Sequence, residues 1–232
     1  LNAANLTGVS EINVIDGTAT TSVVTNLASG LTVVNDNAAE TEILTLDTVA
    51  GATVTVQSNE NASGALTIQD ASSVIINALD GAATAAWGNT VLDNTDTTSL
   101  TVTGANTAHA LSIGAVTNTD AITSLTATTS TATGTVTIGA VADLGSMETV
   151  TLTAVNADLT VSTGANFGAD ADGAEGESMS TIIVNASGGA EIDFADGQTI
   201  FADSTTNSTT DLAVTVTATT ATSSTVELGL LD

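Results

Sequence analysis

The sequence predicts an all-β protein, a parallel β-solenoid (β-helix) whose coils are about 25 residues long. Three observations predict it. The first is a period: Leu100-Thr101-Val102, Leu125-Thr126-Ala127 and Val150-Thr151-Leu152 recur every 25 residues. Between them, Ser112-Ile113-Gly114-Ala115-Val116 returns 25 residues on as Thr137-Ile138-Gly139-Ala140-Val141. The second is composition. Hydrophobic residues make up 42% and aromatics only 2%, so the core is built of Val, Ile, Leu and Ala, beside much Thr, a strand-favouring mixture. The third is the lack of any proline in 232 residues, which fits a chain whose every coil donates backbone N–H groups to the next.

The strands follow in order. Val9, Ile12 and Val14 give an apolar-x-x-apolar-x-apolar entry, repeated by Ile122, Leu125 and Ala127, by Met147, Val150 and Leu152, and by Met179, Ile182 and Val184. Shorter apolar-Thr-apolar strands are expected at Leu31–Val33, Leu44–Leu46, Val54–Val56, Leu66–Ile68 and Val74–Ile76. Leu159-Thr160-Val161 reads as a third copy of the second strand of the repeat, and Val214–Val216 and Val226–Leu228 as a closing pair. Alternation places the aliphatic pair on one face and Thr on the other. Nine coils at about 4.8 Å each make a rod of about 45 Å. Short strands at this spacing also suit an antiparallel Ig-like β-sandwich, which stands as the alternative, although Asn-Gly and Asp-Gly hairpin signals are scarce.

The repeat is interrupted at 78–98, 164–180 and 195–211. In the first, the alanine-rich run Ala82–Gly88 around the lone Trp87 suggests a short helix covering a core edge. The interruptions divide the chain into solenoid repeats over 1–165 and, over 166–232, either a continuation of the solenoid or a small C-terminal β module after an acidic loop.

The chain carries 26 Asp plus Glu, one His, and neither Lys nor Arg, for a formal charge of −26. No side-chain ion pair can form within it, nucleic acid is repelled, and Schiff-base, arginine-finger and P-loop chemistry are excluded. It offers no cleavage site to trypsin-like proteases. The lack of Cys excludes a disulfide framework. No run of 18 apolar residues occurs, so membrane insertion is not expected. No charged-then-apolar leader follows Leu1, so any signal peptide is expected to be removed already or to lie outside this chain.

Among polar groups, Asp170, Asp172, Glu175 and Glu177 alternate with Gly and Ala, an arrangement of oxygen donors on a tight turn that suits Ca²⁺. Asp193 and Asp196, with Glu191, form a second candidate metal group. Weaker groups are Asn35, Asp36, Asn37, Glu40 and Glu42, and Asp93, Asn94 and Asp96, where turn formation is the plainer role. Collectively the acidic charge calls for divalent cations as partners, with Ca²⁺ the expected cofactor.

No enzyme is expected. Asp193 and Asp196 are a conceivable acid–base pair, but the aromatic platforms that grip sugars are nearly lacking, and nothing completes a triad with His109. Thr-x-Thr pairs at Thr53/Thr55, Thr101/Thr103, Thr135/Thr137, Thr149/Thr151 and Thr215/Thr217 admit an ice-binding or adhesin module, though the pairs do not align from sequence onto one strand of every coil.

The entry motif, as in Gly8-Val9-Ser10-Glu11-Ile12-Asn13-Val14 and Ser146-Met147-Glu148-Thr149-Val150-Thr151-Leu152, resembles the repeats of bacterial surface-layer (S-layer) proteins of the calcium-dependent β-solenoid type, as in Caulobacter. The resemblance implies a secreted, extracellular cell-surface protein that self-assembles into a lattice or filament in a Ca²⁺-dependent manner, its partner being itself. The Gly-Gly-x-Gly-x-Asp nonapeptide of calcium-binding secretion repeats does not occur, so no calcium ligand carries over by position.

Overall fold

The computed structural model describes residues 1–15, 21–36, 43–58, 64–78, 85–93, 95–104, 110–129, 134–141, 146–162, 179–194, 199–200, 213–219, 225–227 and 230–231. Among these there are twenty strands and no helix. The first seven are β1 (Glu11–Val14), β2 (Thr21–Leu27), β3 (Thr32–Asn35), β4 (Ile43–Ser58), β5 (Leu66–Ala78), β6 (Ala85–Trp87) and β7 (Thr90–Val91). The middle of the chain holds β8 (Ser99–Thr103), β9 (Leu111–Ile113), β10 (Val116–Thr117), β11 (Ser124–Thr128), β12 (Val136–Ile138), β13 (Thr149–Val155) and β14 (Leu159–Val161). The rest are β15 (Thr181–Ser187), β16 (Glu191–Phe194), β17 (Thr199–Ile200), β18 (Ala213–Thr219), β19 (Thr225–Glu227) and β20 (Leu230–Leu231).

Every ladder among them is parallel, which overturns the antiparallel sandwich. The larger sheet runs β1-β3-β4-β5-β8-β11-β13-β15-β18, a path of nine rungs. The smaller runs β19-β16-β14-β12-β9-β6. β4 and β5 bend at Gly51 and Asp70, both at positive φ, so the first half of each pairs in a side row with β2 and β7, and the second half in the main path. The 25-residue period is the pairing register in the middle of the chain: Ser99 lies opposite Ser124, and Ser124 opposite Thr149. Leu159 lies opposite Val136, as the third copy of the repeat's second strand requires. Toward the N-terminus the step shortens, with Val54 opposite Val74, and after β13 it lengthens, with Thr149 opposite Thr181.

In-register stacking converts sequence alternation into columns. Ile12, Val33, Val56, Ile76, Val102, Ala127, Leu152 and Val184 follow one another up the main path, each buried. Beside them rise Val54, Val74, Leu100, Leu125, Val150 and Ile182, also buried. No single rung covers its aliphatic row; the rungs above and below do so. At the turn before the main path, hydroxyls tie one rung to the next. Ser72 Oγ donates to the Gly51 carbonyl at 3.0 Å, Thr98 Oγ1 to Ser72 at 3.2 Å and Thr123 Oγ1 to Thr98 at 3.3 Å. Buried threonines close other carbonyls: Thr97 Oγ1 donates to Ala71 at 2.9 Å and Thr129 Oγ1 to Ala157 at 3.0 Å.

The helix expected at Ala82–Gly88 is corrected in its described part. Ala85–Trp87 is strand β6, with Trp87 opposite Ile113 and buried. Alanine's helix propensity yields here because a helical turn would leave β9 without its neighbouring ladder. The described residues of the 78–98 segment therefore hold two strands of one rung, β6 and β7.

Between the smaller sheet and the side row, a glycine from each of four rungs stacks: Gly64, Gly88, Gly114 and Gly139. A Cβ on Gly114 would stand 2.8 Å from the Gly88 carbonyl carbon and oxygen, and one on Gly139 would stand 2.7 Å from the Gly114 carbon. The obstacle is backbone, held by bonds such as Gly139 N–H to the Ile113 carbonyl at 2.8 Å, so it cannot swing aside. Gly114→Ala is expected to destabilise the protein by about 1–3 kcal/mol, as overpacked sites do. Urea unfolding followed through Trp87 fluorescence measures this; an unchanged midpoint would contradict the close stacking.

Candidate functional site

Of the metal-ligand candidates, Asp170, Asp172, Glu175, Glu177 and Asp196 lie outside the described residues, as does His109. Asp193 stands on β16, opposite Thr160 of β14, two residues from the exposed Glu191. Glu191 is engaged through its backbone, its N–H donating to Asp158 Oδ1 at 2.8 Å.

Among the described residues, the group of three or more metal-ligating side chains that converges is Asp70, Asp93 and Asp96, with one carboxylate oxygen from each within 4.8 Å of the others. Asp70 occupies the bend of β5 at φ +62°, a left-handed conformation that Asp tolerates better than most residues. Leu66 pairs with Thr90 one rung on, so the chain leaving β7 carries Asp93 to the Asp70 bend. Asp93 then folds an Asx turn: the Thr95 N–H and the Thr95 hydroxyl both donate to Asp93 Oδ1 at 2.9 Å. Asp93 Oδ2 accepts the Asp70 N–H at 3.4 Å, so the cluster also links two rungs.

The Thr95 backbone N–H, and after it the Thr95 hydroxyl, hold the Asp93 carboxyl below its ordinary value; burial opposes this, and the N–H groups of Asp70 and Asp96 add to it. Asp93 thus stays ionised into mild acid. With no Lys or Arg in the chain, neither an ammonium nor a guanidinium side chain compensates the three carboxylates. An all-oxygen set of this kind matches hard divalent cations, and three carboxylates fill part of the six to eight positions that Ca²⁺ takes. Water or backbone carbonyls would supply the others. Asp93 and Asp96 stood out in the sequence, but Asp70 did not, being 23 residues upstream. The readable signal was the strand register that brings Leu66 to Thr90.

The second feature is a surface. The outward positions of the main path form a grid in which β8 contributes Ser99, Thr101 and Thr103, β11 contributes Ser124, Thr126 and Thr128, and β13 contributes Thr149, Thr151 and Thr153. The columns extend to Thr53, Thr55 and Gln57 on β4 and to Thr215 and Thr217 on β18. Four of the five Thr-x-Thr pairs lie in one sheet, but β5 and β15 carry none, so the pairs do not recur on every rung; Thr137 of the fifth is on β12 in the smaller sheet. Unequal rung lengths hid that these four pairs share a sheet. From Thr53 of β4 to β18 no outward position on this face is Asp or Glu. The smaller sheet differs, for β16 places Glu191 and Asp193 outward around the buried Ile192.

A cleft of about 380 Å³ lies beside β1 and β2, lined among the described residues by Ile12, Val14, Ile15, Val23 and Val24 and others, none of them a carboxylate. No helix among the described residues is long and apolar enough to cross a membrane. Comparison with known proteins yields no matching family, no matching curated protein and no matching solved structure.

The Asp93 turn has a pH signature. A carboxylate whose folded value is depressed stabilises the protein above its unfolded value, and that contribution is lost as pH falls through the folded one. Asp93→Ala is expected to lower stability by about 1 kcal/mol at pH 7, as loss of such a cap does. The difference from wild type should shrink toward pH 2. Paired urea titrations in EDTA at the two pH values measure it; an equal difference at both would contradict the assignment.

Proposed function

We propose that the coils close into a parallel β-solenoid and that the protein is an extracellular structural subunit of a surface layer or filament. It assembles with copies of itself at the cell surface and depends on Ca²⁺, rather than acting as an enzyme. The observation that carries this reading is the run of buried aliphatic columns through successive in-register rungs. Such a core makes a stiff, periodic body whose outer faces repeat with the rung spacing of about 4.8 Å, a form suited to building extended assemblies. The S-layer resemblance of the strand-entry motif points the same way.

Cations complete the reading. At −26 with neither Lys nor Arg, copies repel one another unless counterions collect between them. The Asp70–Asp93–Asp96 cluster supplies oxygen donors of the right hardness, and the acidic run Asp170, Asp172, Glu175 and Glu177 supplies more.

Negative-stain electron microscopy in Ca²⁺ and in EDTA tests the function: ordered sheets or filaments are expected in Ca²⁺, dispersing in chelator. Protein that remains dispersed at every Ca²⁺ and salt concentration would contradict it. Calorimetric Ca²⁺ titration separates the two candidate sites. Asp70→Asn with Asp96→Asn should remove one class of binding and Asp170→Asn with Asp172→Asn another; Ca²⁺ uptake unchanged in both would exclude both sites.

A further inference from the structure

Resting on the self-assembly reading, we infer that the outward face of the larger sheet's main path, from the second half of β4 to β18, is the surface through which two copies of this chain meet. Self-association is electrostatically restricted. Every copy carries a formal −26, and no Lys or Arg of one copy can answer a carboxylate of another, so where carboxylate-bearing surfaces touch, like charges oppose each other. Along the main path from Thr53 of β4 to β18 the outward face holds Ser, Thr, Asn, Gln and a few aliphatic or alanine positions, with no carboxylate; Asp47, on the first half of β4, stands in the side row. It is thus a broad surface on which a like-charged partner meets no opposing charge, whereas the smaller sheet presents Glu191 and Asp193.

Its dimensions also suit a dimer. Seven rungs at about 4.8 Å and five residues of strand at about 3.3 Å, with side-chain margins, give roughly 600 Å² a side, or roughly 1,200 Å² in all, the lower end of specific interfaces. The side chains are well prepared for it. Thr has a restricted χ1 and loses little rotamer freedom on contact, and its methyl and hydroxyl together supply packing and hydrogen bonds. Ile75 and Ile183, outward and half-buried on β5 and β15, add apolar anchors toward the two ends of the grid.

Sedimentation velocity and disulfide trapping test the pairing together. Wild-type protein is expected to sediment as a dimer at micromolar concentration. Thr126→Glu with Thr151→Glu, which plants carboxylates at the centre of the face, should weaken association at least tenfold with an unchanged melting curve. Thr137→Glu on the smaller sheet should leave the dimer intact. Because the chain has no cysteine, Thr126→Cys reports contact directly and should crosslink under mild oxidation where Thr137→Cys does not. A double variant that dimerises like wild type, or crosslinking at Thr137 alone, overturns the face while leaving self-assembly standing. A strictly monomeric wild type overturns both, and thermal hysteresis from that monomer, abolished in the double variant, would assign the face to ice instead.

Discussion

Each described rung of this protein takes its hydrogen bonds from rungs that lie from 19 residues away, as for Ala52 and Ala71, to 34, as for Glu191 and Thr225. That constraint organises the rest. A parallel ladder cannot be closed by a tight hairpin, so the chain must travel around before each rung can be laid down. Proline would delete a donor from the ladder, and none is present in the chain. Glycine is needed where one turn of backbone rests directly on the next, as Gly114 does on Gly88. Side chains inherit the same order: in-register pairing forces like residues into columns, and the core then repeats as the backbone does.

The register also explains how a chain without ion pairs holds together. Exposed ion pairs contribute little in any case, and here threonine and serine hydroxyls take over the local ties between rungs, as Thr98 and Thr123 do. Stability is then approximately a sum of repeat and neighbour terms, without a charged network to maintain. Among the described residues, carboxylates stand at turns, as Asp93 does, on the smaller sheet, and on the larger sheet at Glu11 of β1 and Asp47 in the side row of β4. Keeping carboxylates off the outward face of the main path from Thr53 to β18 leaves that face without charge to oppose a like-charged body.

Much of this was legible in the sequence, for a physical reason. Where rungs are equal in length, as between Ser99, Ser124 and Thr149, the stacking register and the sequence period are the same number, so the period announced the ladder. Where rung lengths vary, the register is no longer a period. The Thr-x-Thr pairs on β4, β8, β13 and β18 therefore looked unaligned although they share a sheet. Asp70 escaped for the same reason, since its neighbours Asp93 and Asp96 belong to the next turn of chain. Trp87 misled differently: local alanine content argued for helix, and the need to pair with β9 prevailed.

The central claim is that register between rungs, one turn of chain apart, specifies the fold. Excising residues 100–124 tests it most directly, because Ser99 then runs into Leu125 and takes the place of Ser124, its own partner in the ladder. The account predicts a protein one rung shorter, with the same strand signature per residue by circular dichroism and a cooperative unfolding transition. Excision of 112–124, about half a turn, should leave an unfolded or aggregated chain because it joins β9 of the smaller sheet to β11 of the larger. Equal disruption by the two deletions would contradict the account.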